Sequence, residues 1–234
     1  MADNKTHVDW AGLRGYPASR RLAKRLIVIR HGESNWNVAG QFQGQSGSGL
    51  SQRGHQQAAV IAAALAPVYP DAVLVSSDLL RARETVEPLE SALGRVATLD
   101  PRLRERSLGR WEGMRKDEVV ADNEQRWRRL IGGEDVVEEV GGESEIAFAD
   151  RSSAVLRDLL EKTRSGGVTI AISHGGVIWQ GFHTVAGLKP GTLGAVDNAS
   201  CHHLVSYEGD GSTIAIARWN EVPGPSVVRP FKMA

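Results

Sequence analysis

Two apolar runs in this chain end in the same pair of residues. Val28-Ile29-Arg30-His31-Gly32-Glu33 and Ala171-Ile172-Ser173-His174-Gly175-Gly176 each read as a buried strand stopping at His-Gly. In open α/β sheets, ligands bind beyond the carboxyl ends of the strands. A glycine directly after the histidine lets the backbone approach a ligand closely. If the two strands are neighbours, both imidazoles overlook one crevice. A third run, Ala72 to Ser76, ends near that crevice and leads into Asp78-Leu79-Leu80-Arg81. That spacing puts Arg81 in the first turn of a helix, beside free backbone N–H groups and the positive end of the dipole. Arg30, Arg81 and His174 would then surround a phosphate with charge-assisted donors. His31, as a neutral imidazole, could attack phosphorus while its other ring nitrogen is oriented by a hydrogen bond. The leaving oxygen needs a proton donor, a carboxyl whose pKa the phosphate's own charge can raise. Glu105 is a candidate for that part, and Glu33, two residues from His31, is a competing one.

The elements that must hold these groups follow from the apolar pattern. Leu26 to Ile29, β-branched at three of four positions, suits a strand buried on both faces of a parallel sheet. A Gly/Ser/Gln loop follows, and Ser51 is a plausible N-cap for a helix to Ala66, stopped by Pro67. Ala72 to Ser76 is a second strand. Ser77 or Asp78 would cap a helix to Leu93, which Pro88 should interrupt or kink. Arg95 to Leu99 reads as a third strand. Ser144 caps a long amphipathic helix whose Ile146, Ala149, Ser153, Leu156 and Leu160 step by three and four. Val168 to Ile172 is another buried strand, followed by an apolar helix to Gly187. Cys201–Tyr207 and Thr213–Trp219 form a terminal hairpin around Gly209-Asp210-Gly211. Strands alternating with helices predict one α/β domain with a mostly parallel sheet. It spans residues 25–220, with a charge-rich covering insertion at 102–142, an N-terminal extension at 1–24 and a C-terminal tail at 221–234.

Composition narrows the function classes. At 41% hydrophobic and 24% charged over 234 residues, the chain is an ordinary globular one with ample core. Lys+Arg and Asp+Glu balance at 28 each, so no global pull toward nucleic acid or an anionic membrane follows. The basic patch Arg20, Arg21, Lys24 and Arg25 reads as a solvated tail, and nucleic acid is not an expected partner. No window approaches a membrane span, and the first 25 residues lack the apolar stretch of a secretory signal. The single cysteine, Cys201, lies in an apolar strand and reads as a buried structural thiol. Cytosol is the expected compartment. No His/Asp/Glu set stands at metal-ligand spacing, so no metal or other cofactor is expected; His202 and His203, adjacent in a strand, would point to opposite faces.

Five blocks, taken together and in order, resemble the histidine phosphatase superfamily, in its phosphoglycerate-mutase-like branch. They are Arg30-His31-Gly32-Glu33 with Asn37; Ser76 to Arg81-Ala82 with Thr85; Leu103, Glu105, Gly109 and Trp111-Glu112-Gly113; Gly141-Gly142-Glu143-Ser144; and Ser173-His174-Gly175-Gly176. The resemblance implies a three-layer αβα fold, no metal requirement and His31 as the phosphorylated nucleophile. It further implies that Arg30, Arg81 and His174 bind the transferring group, and that Glu105 is the general acid/base. Asn37, Gln43 and Gly44 fall where the family contacts substrate or phosphate, and Gly175 belongs to the same phosphate-facing block. The loop Gln43 to Ser51 departs from the family by lacking an acid near Gly47, which implies a looser substrate mouth.

A mutase and a phosphatase would share the phosphohistidine and differ in what accepts the phosphoryl group. The mutase branch carries an Asn-Glu-Arg-His-Tyr-Gly block with a Pro-rich insertion, whereas this chain has Arg104-Glu105-Arg106-Ser107-Leu108-Gly109 and no such insertion. A metal-independent phosphomonoesterase is therefore the preferred reading, similar to bacterial broad-range phosphatases of the glucosyl-3-phosphoglycerate phosphatase type. Its substrate would be a small phosphorylated metabolite, a sugar phosphate or a phosphoglycerate derivative. Trp111, Trp127, Arg126, Arg128 and Arg129 are candidates to line the mouth, with ordinary helix packing as the alternative. Trp36 and the terminal strands are candidates for a homodimer face. A non-catalytic phospho-ligand binder on the same fold is the alternative from another class.

Overall fold

The computed structural model describes residues 22–208 and 213–223. Its strands are β1 (Leu22–Arg30), β2 (Val73–Ser76), β3 (Thr98–Leu99), β4 (Gly167–Ser173), β5 (Cys201–Tyr207) and β6 (Ile214–Glu221). They form one six-stranded sheet in the order β3-β2-β4-β1-β5-β6. The pairings β3–β2, β2–β4 and β4–β1 are parallel, and β5 runs antiparallel to both β1 and β6. The helices are α1 (Asn35–Ala39), α2 (Gln52–Leu65), α3 (Leu80–Leu93), α4 (Lys116–Asp122), α5 (Glu124–Ile131), α6 (Glu145–Lys162) and α7 (Gly175–Ala186).

The sheet is covered on both faces, which is why Leu26–Ile29 of β1 and Ile170–Ile172 of β4 are continuously apolar rather than alternating. Ile27 and Ile29 pack with Ile61 and Leu65 of α2 and with Val86 and Leu89 of α3. Leu26 and Val28, on the opposite face, pack with Leu156 and Leu160 of α6 and with Ile178 and Phe182 of α7. The result is the three-layer αβα sandwich. Each fully buried Leu, Ile or Val contributes about 1.5–3 kcal/mol, so a polar residue in this part of β1 would be severely destabilising. The covering segment has a small core of its own, made by Trp111, Val119, Val136, Val137 and Val140.

Several expectations need correction. β1 begins at Leu22, so the boundary drawn after residue 24 falls inside a strand. Arg20 and Arg21 lie outside the described residues, while Arg25 is buried in β1 beside Nδ1 of His203 at 3.0 Å rather than solvated. Neither Ser77 nor Asp78 caps α3; its N-cap is Leu79, because Arg104 engages the Asp78 carboxylate with both arms, at 2.7 and 2.5 Å. α3 continues past Pro88 to Leu93. The third strand shrinks to two residues. The buried face of α6 is Phe148, Ser152, Val155, Leu156, Leu159 and Leu160, and Ile146 is 77% exposed. Cys201 is buried as expected, and its thiol pKa is pushed up to about 12 by burial. The Gly209-Asp210-Gly211 turn and the tail beyond Pro223 lie outside the described residues. No helix among the described residues is long and apolar enough to cross a membrane.

Candidate active site

The parallel register of β1 and β4 sets Arg30 opposite Ser173, so the next residue on each strand is a histidine at the same level. His31 and His174 are both buried, their ring centroids 5.1 Å apart. Nδ1 of His31 lies 2.7 Å from the carbonyl oxygen of Gly32. A carbonyl only accepts, so Nδ1 carries the proton and Nε2 keeps its lone pair. Arg81 donates Nε–H to that lone pair at 3.2 Å. Burial holds the His31 pKa well below its ordinary value, and the positive charges of Arg81 and Arg30 reinforce the effect. The ring is therefore neutral, in the tautomer a nucleophile needs.

Arg81 enters from the first turn of α3 with its side chain fully buried. Besides His31 it donates to the carbonyl oxygens of Ser46 at 2.9 Å and Gly44 at 2.8 Å. Burial lowers its pKa to about 10, which leaves it charged at neutral pH. Arg30 donates to the carbonyl of Val196 at 2.6 Å, and its Nε is buried without a protein partner. His174 shares a hydrogen bond with Ser77 Oγ at 2.9 Å through Nε2, and its Nδ1 is likewise buried and unpaired. Two orphaned buried nitrogens in one cluster are unusual and mark a place built for an additional acceptor.

The carboxylate of Glu105 accepts from the backbone N–H of Gly176 and of Arg106, each at 2.9 Å. It therefore sits at the N-terminus of α7, where the helix dipole favours an anion. A Cβ at Gly176 would stand 2.2 Å from Oε1 of Glu105, so any larger residue there would displace that carboxylate. Glu33 is not in this cleft. Its carboxylate accepts from Ser51 Oγ at 2.7 Å and faces Arg53 at the start of α2.

A cleft of about 370 Å³ opens over these groups and is lined by Arg30, His31, Asn37, Gln43, Gly44, Arg81 and Glu105 among others. Oδ1 of Asn37 is taken by Ser34 N–H and by Asn198, and Oε1 of Gln43 by Ser34 Oγ, which leaves their NH2 groups as donors. Gly175 does not line the cleft; a Cβ there would lie 3.5 Å from Arg30 Nε. Seven of the nine expected residues thus line the cleft, and His174, which does not line it, has its ring 5.1 Å from that of His31.

Sequence reasoning missed four supports. Ser77 fixes His174. Thr85 Oγ1 accepts from Gly32 N–H at 3.0 Å and donates to the Arg81 carbonyl at 2.6 Å. Asn198 donates to the His31 carbonyl at 3.1 Å. Glu112 accepts from the N–H groups of Gln45 at 3.0 Å, Ser46 at 2.9 Å and Leu108 at 3.0 Å. The acid-free loop is therefore held rather than loose: Glu112 supplies the carboxylate from across the cleft, and Glu84 accepts from Leu50 N–H at 2.6 Å. Thr85 and Glu112 had been visible as motif members without a role. Ser77 too lies within the Ser76–Arg81 block, as a candidate cap, whereas nothing local marks Asn198.

The expected Trp/Arg mouth is a further correction. Trp111 is buried in the core of the covering segment with Trp127 packed against it, because that segment has few other large apolar groups. Arg126 and Arg129 pair with Glu139, and Arg128 with Glu124. Among the described residues, no group of three or more His, Cys, Asp or Glu side chains could hold a metal ion.

A family model described as the histidine phosphatase superfamily (branch 1) matches residues 26–222. The glucosyl-3-phosphoglycerate phosphatase of Mycolicibacterium vanbaalenii is 34% identical over 209 residues, covering 84% of this chain and 92% of that protein. A protein of Escherichia fergusonii named as a probable phosphoglycerate mutase, GpmB, is 35% identical over 165 residues, covering 70% and 75%. The solved structure of a mycobacterial glucosyl-3-phosphoglycerate phosphatase with VO3 superposes with a TM-score of 0.69 at 31% identity, over 85% of this chain and 99% of the other.

Proposed function

This chain belongs to the histidine phosphatase superfamily, and on that premise we propose how its residues hydrolyse a phosphomonoester. Nε2 of His31 attacks phosphorus in line with the departing oxygen, forming an N–P bond as the P–O bond breaks. Glu105, protonated in the substrate complex where the phosphate's own charge opposes a further anion, gives its proton to the leaving alcohol. The same carboxylate then takes a proton from water, which attacks the phosphohistidine and returns His31 with release of inorganic phosphate. Arg30, Arg81 and His174 hold the phosphoryl oxygens. Each preorganised donor of this kind is worth on the order of 10²–10³ in rate. Arg81 exchanges its bond to the His31 lone pair for one to a phosphoryl oxygen, so substrate arrival itself uncovers the nucleophile.

The observation that carries this reading is the pairing at His31: Nδ1 tied to the Gly32 carbonyl, Nε2 facing Arg81. The substrate is a small phosphorylated metabolite, a sugar phosphate or phosphoglycerate derivative, handled in the cytoplasm. Hydrolysis is preferred to mutase chemistry because the phosphatase relative aligns over 84% of the chain and the mutase-named one over 70%. The test is phosphate release from p-nitrophenyl phosphate in the presence of EDTA. Wild type should turn over and His31→Ala should be inactive. Full activity in His31→Ala would refute the mechanism. Turnover lost with phosphate binding retained in the wild type would favour a binding module, and transfer to a second hydroxyl instead of water would favour the mutase.

A further inference from the structure

The arginines around the cleft divide sharply by partner. Arg104 is held by both oxygens of Asp78. Arg151 is held by both oxygens of Glu143, at 2.9 and 2.6 Å. Arg106, which lines the mouth, donates to Asp135 Oδ1 at 2.5 Å and to the Glu143 carbonyl at 2.8 Å. Asp135 in turn accepts from Glu145 N–H at 2.6 Å. Burial would push the Asp135 pKa up, but that N–H and Arg106 outweigh it and keep the carboxyl below its usual range, hence ionised. Arg30 and Arg81, at the floor, instead have carbonyl and imidazole partners and no carboxylate bound to them.

Arg30 and Arg81, neither hydrogen-bonded to a carboxylate, match the two charges of one phosphate group, and the carboxylate whose charge reaches both is Glu105, the proposed proton donor itself. Among the described residues, Arg106 is the remaining cation lining the cleft, and Asp135 neutralises it. The rest of the mouth offers Phe42, Leu108 and Phe148, with the amides of Asn37, Gln41 and Gln43. Resting on the phosphatase reading above, we propose that this enzyme selects phosphomonoesters whose leaving alcohol carries no second negative charge. Asp135 is the residue that sets this preference, by cancelling Arg106 at the mouth. An anionic leaving group would shed water there without a free cation to receive it. The mycobacterial and Mycolicibacterium relatives are named for an ester that contains a glycerate; this chain's mouth is built for a neutral remainder such as a sugar or another alcohol.

Glycerol 3-phosphate and 3-phosphoglycerate test this directly, because they differ by a hydroxymethyl group in place of a carboxylate. Wild type should hydrolyse glycerol 3-phosphate with a kcat/KM about tenfold or more above that for 3-phosphoglycerate. Asp135→Asn, which frees the Arg106 charge, should lower that ratio at least about fivefold. A smaller ratio in the wild type overturns the proposal, and so does an unchanged ratio in folded Asp135→Asn. Should the variant not fold, the wild-type ratio alone decides. If p-nitrophenyl phosphate is hydrolysed while the ratio fails, the phosphatase reading survives and this inference does not. If none of the three esters is turned over, both fall.

Discussion

Arg81 donates its Nε–H to Nε2 of His31 across 3.2 Å, so the cation that would hold the phosphate also caps the atom that would attack it. The same guanidinium ties the carbonyls of Gly44 and Ser46, which fixes its plane. Lysine offers a single ammonium and cannot reproduce that fork. Arg81→Lys should lower kcat on p-nitrophenyl phosphate by about 10²–10³-fold. Steady-state kinetics checks this, and a loss below threefold would show that the fork is dispensable.

Glu112 acts on Arg81 at one remove. The peptide between Gly44 and Gln45 gives its oxygen to Arg81 and its N–H to Glu112, so the carboxylate polarises and pins the unit that pins the arginine. Gly44 sits at φ 54°, a conformation that the pinned loop requires and glycine adopts freely. Glu112→Gln removes the charge from three N–H bonds and should raise KM and lower kcat/KM by roughly tenfold. Hydrogen exchange at the Gln45 and Ser46 amides should speed up in parallel. Unchanged exchange with lower activity would mean that Glu112 acts by another route.

Four of the five buried histidines among the described residues, His31, His174, His202 and His203, make the fold acid-sensitive. Burial holds His31 and His174 well below the ordinary value of 6.5, and lowers His202 and His203 to about 3. Depressed folded values mean that the unfolded chain binds more protons below pH 6.5. Stability is therefore fully present above that pH and falls as the solution is acidified toward 3, by up to about 1.4 kcal/mol per pH unit for each histidine. Calorimetry should find Tm constant across pH 7–8 with respect to these groups and falling below about 6.5. His202→Gln should make the fall shallower. An equally steep fall in that variant would exclude His202 as a contributor.

Much of this was legible because the chemistry is local to strand ends. Leu26 to Ile29 and Val168 to Ile172 announce strands covered on both faces, and whatever follows them must lie at the carboxyl edge. Glu105 was separable from Glu33 only in three dimensions, where a helix N-terminus receives one and Ser51 the other. The α6 pattern misled because Ile146, in the first turn, lies beyond the layer that α6 covers, and the buried stripe runs through Phe148 instead. Trp111 misled because a small covering segment needs its aromatic for its own core. Glu112 was legible as a motif member and illegible as a loop clamp, since its partners arrive from the far side of the cleft. Asn198 sits in a stretch without periodicity, and its bond to the His31 carbonyl exists only once β5 has docked.

The strand order carries a consequence for synthesis. β1 is the first strand made, yet both of its neighbours, β4 and β5, come from the far part of the chain. Until Gly167–Ser173 has left the ribosome, Leu22–Arg30 has no strand to pair with, although the helices α2, α3 and α6 that cover its two faces are already made. Closing so long a loop is slow, and an unpaired apolar strand is prone to stick to other chains in the interval. By the same geometry, every product that terminates before His174 lacks one of the three groups that would hold the phosphate, together with the strand β5 that pairs with β1.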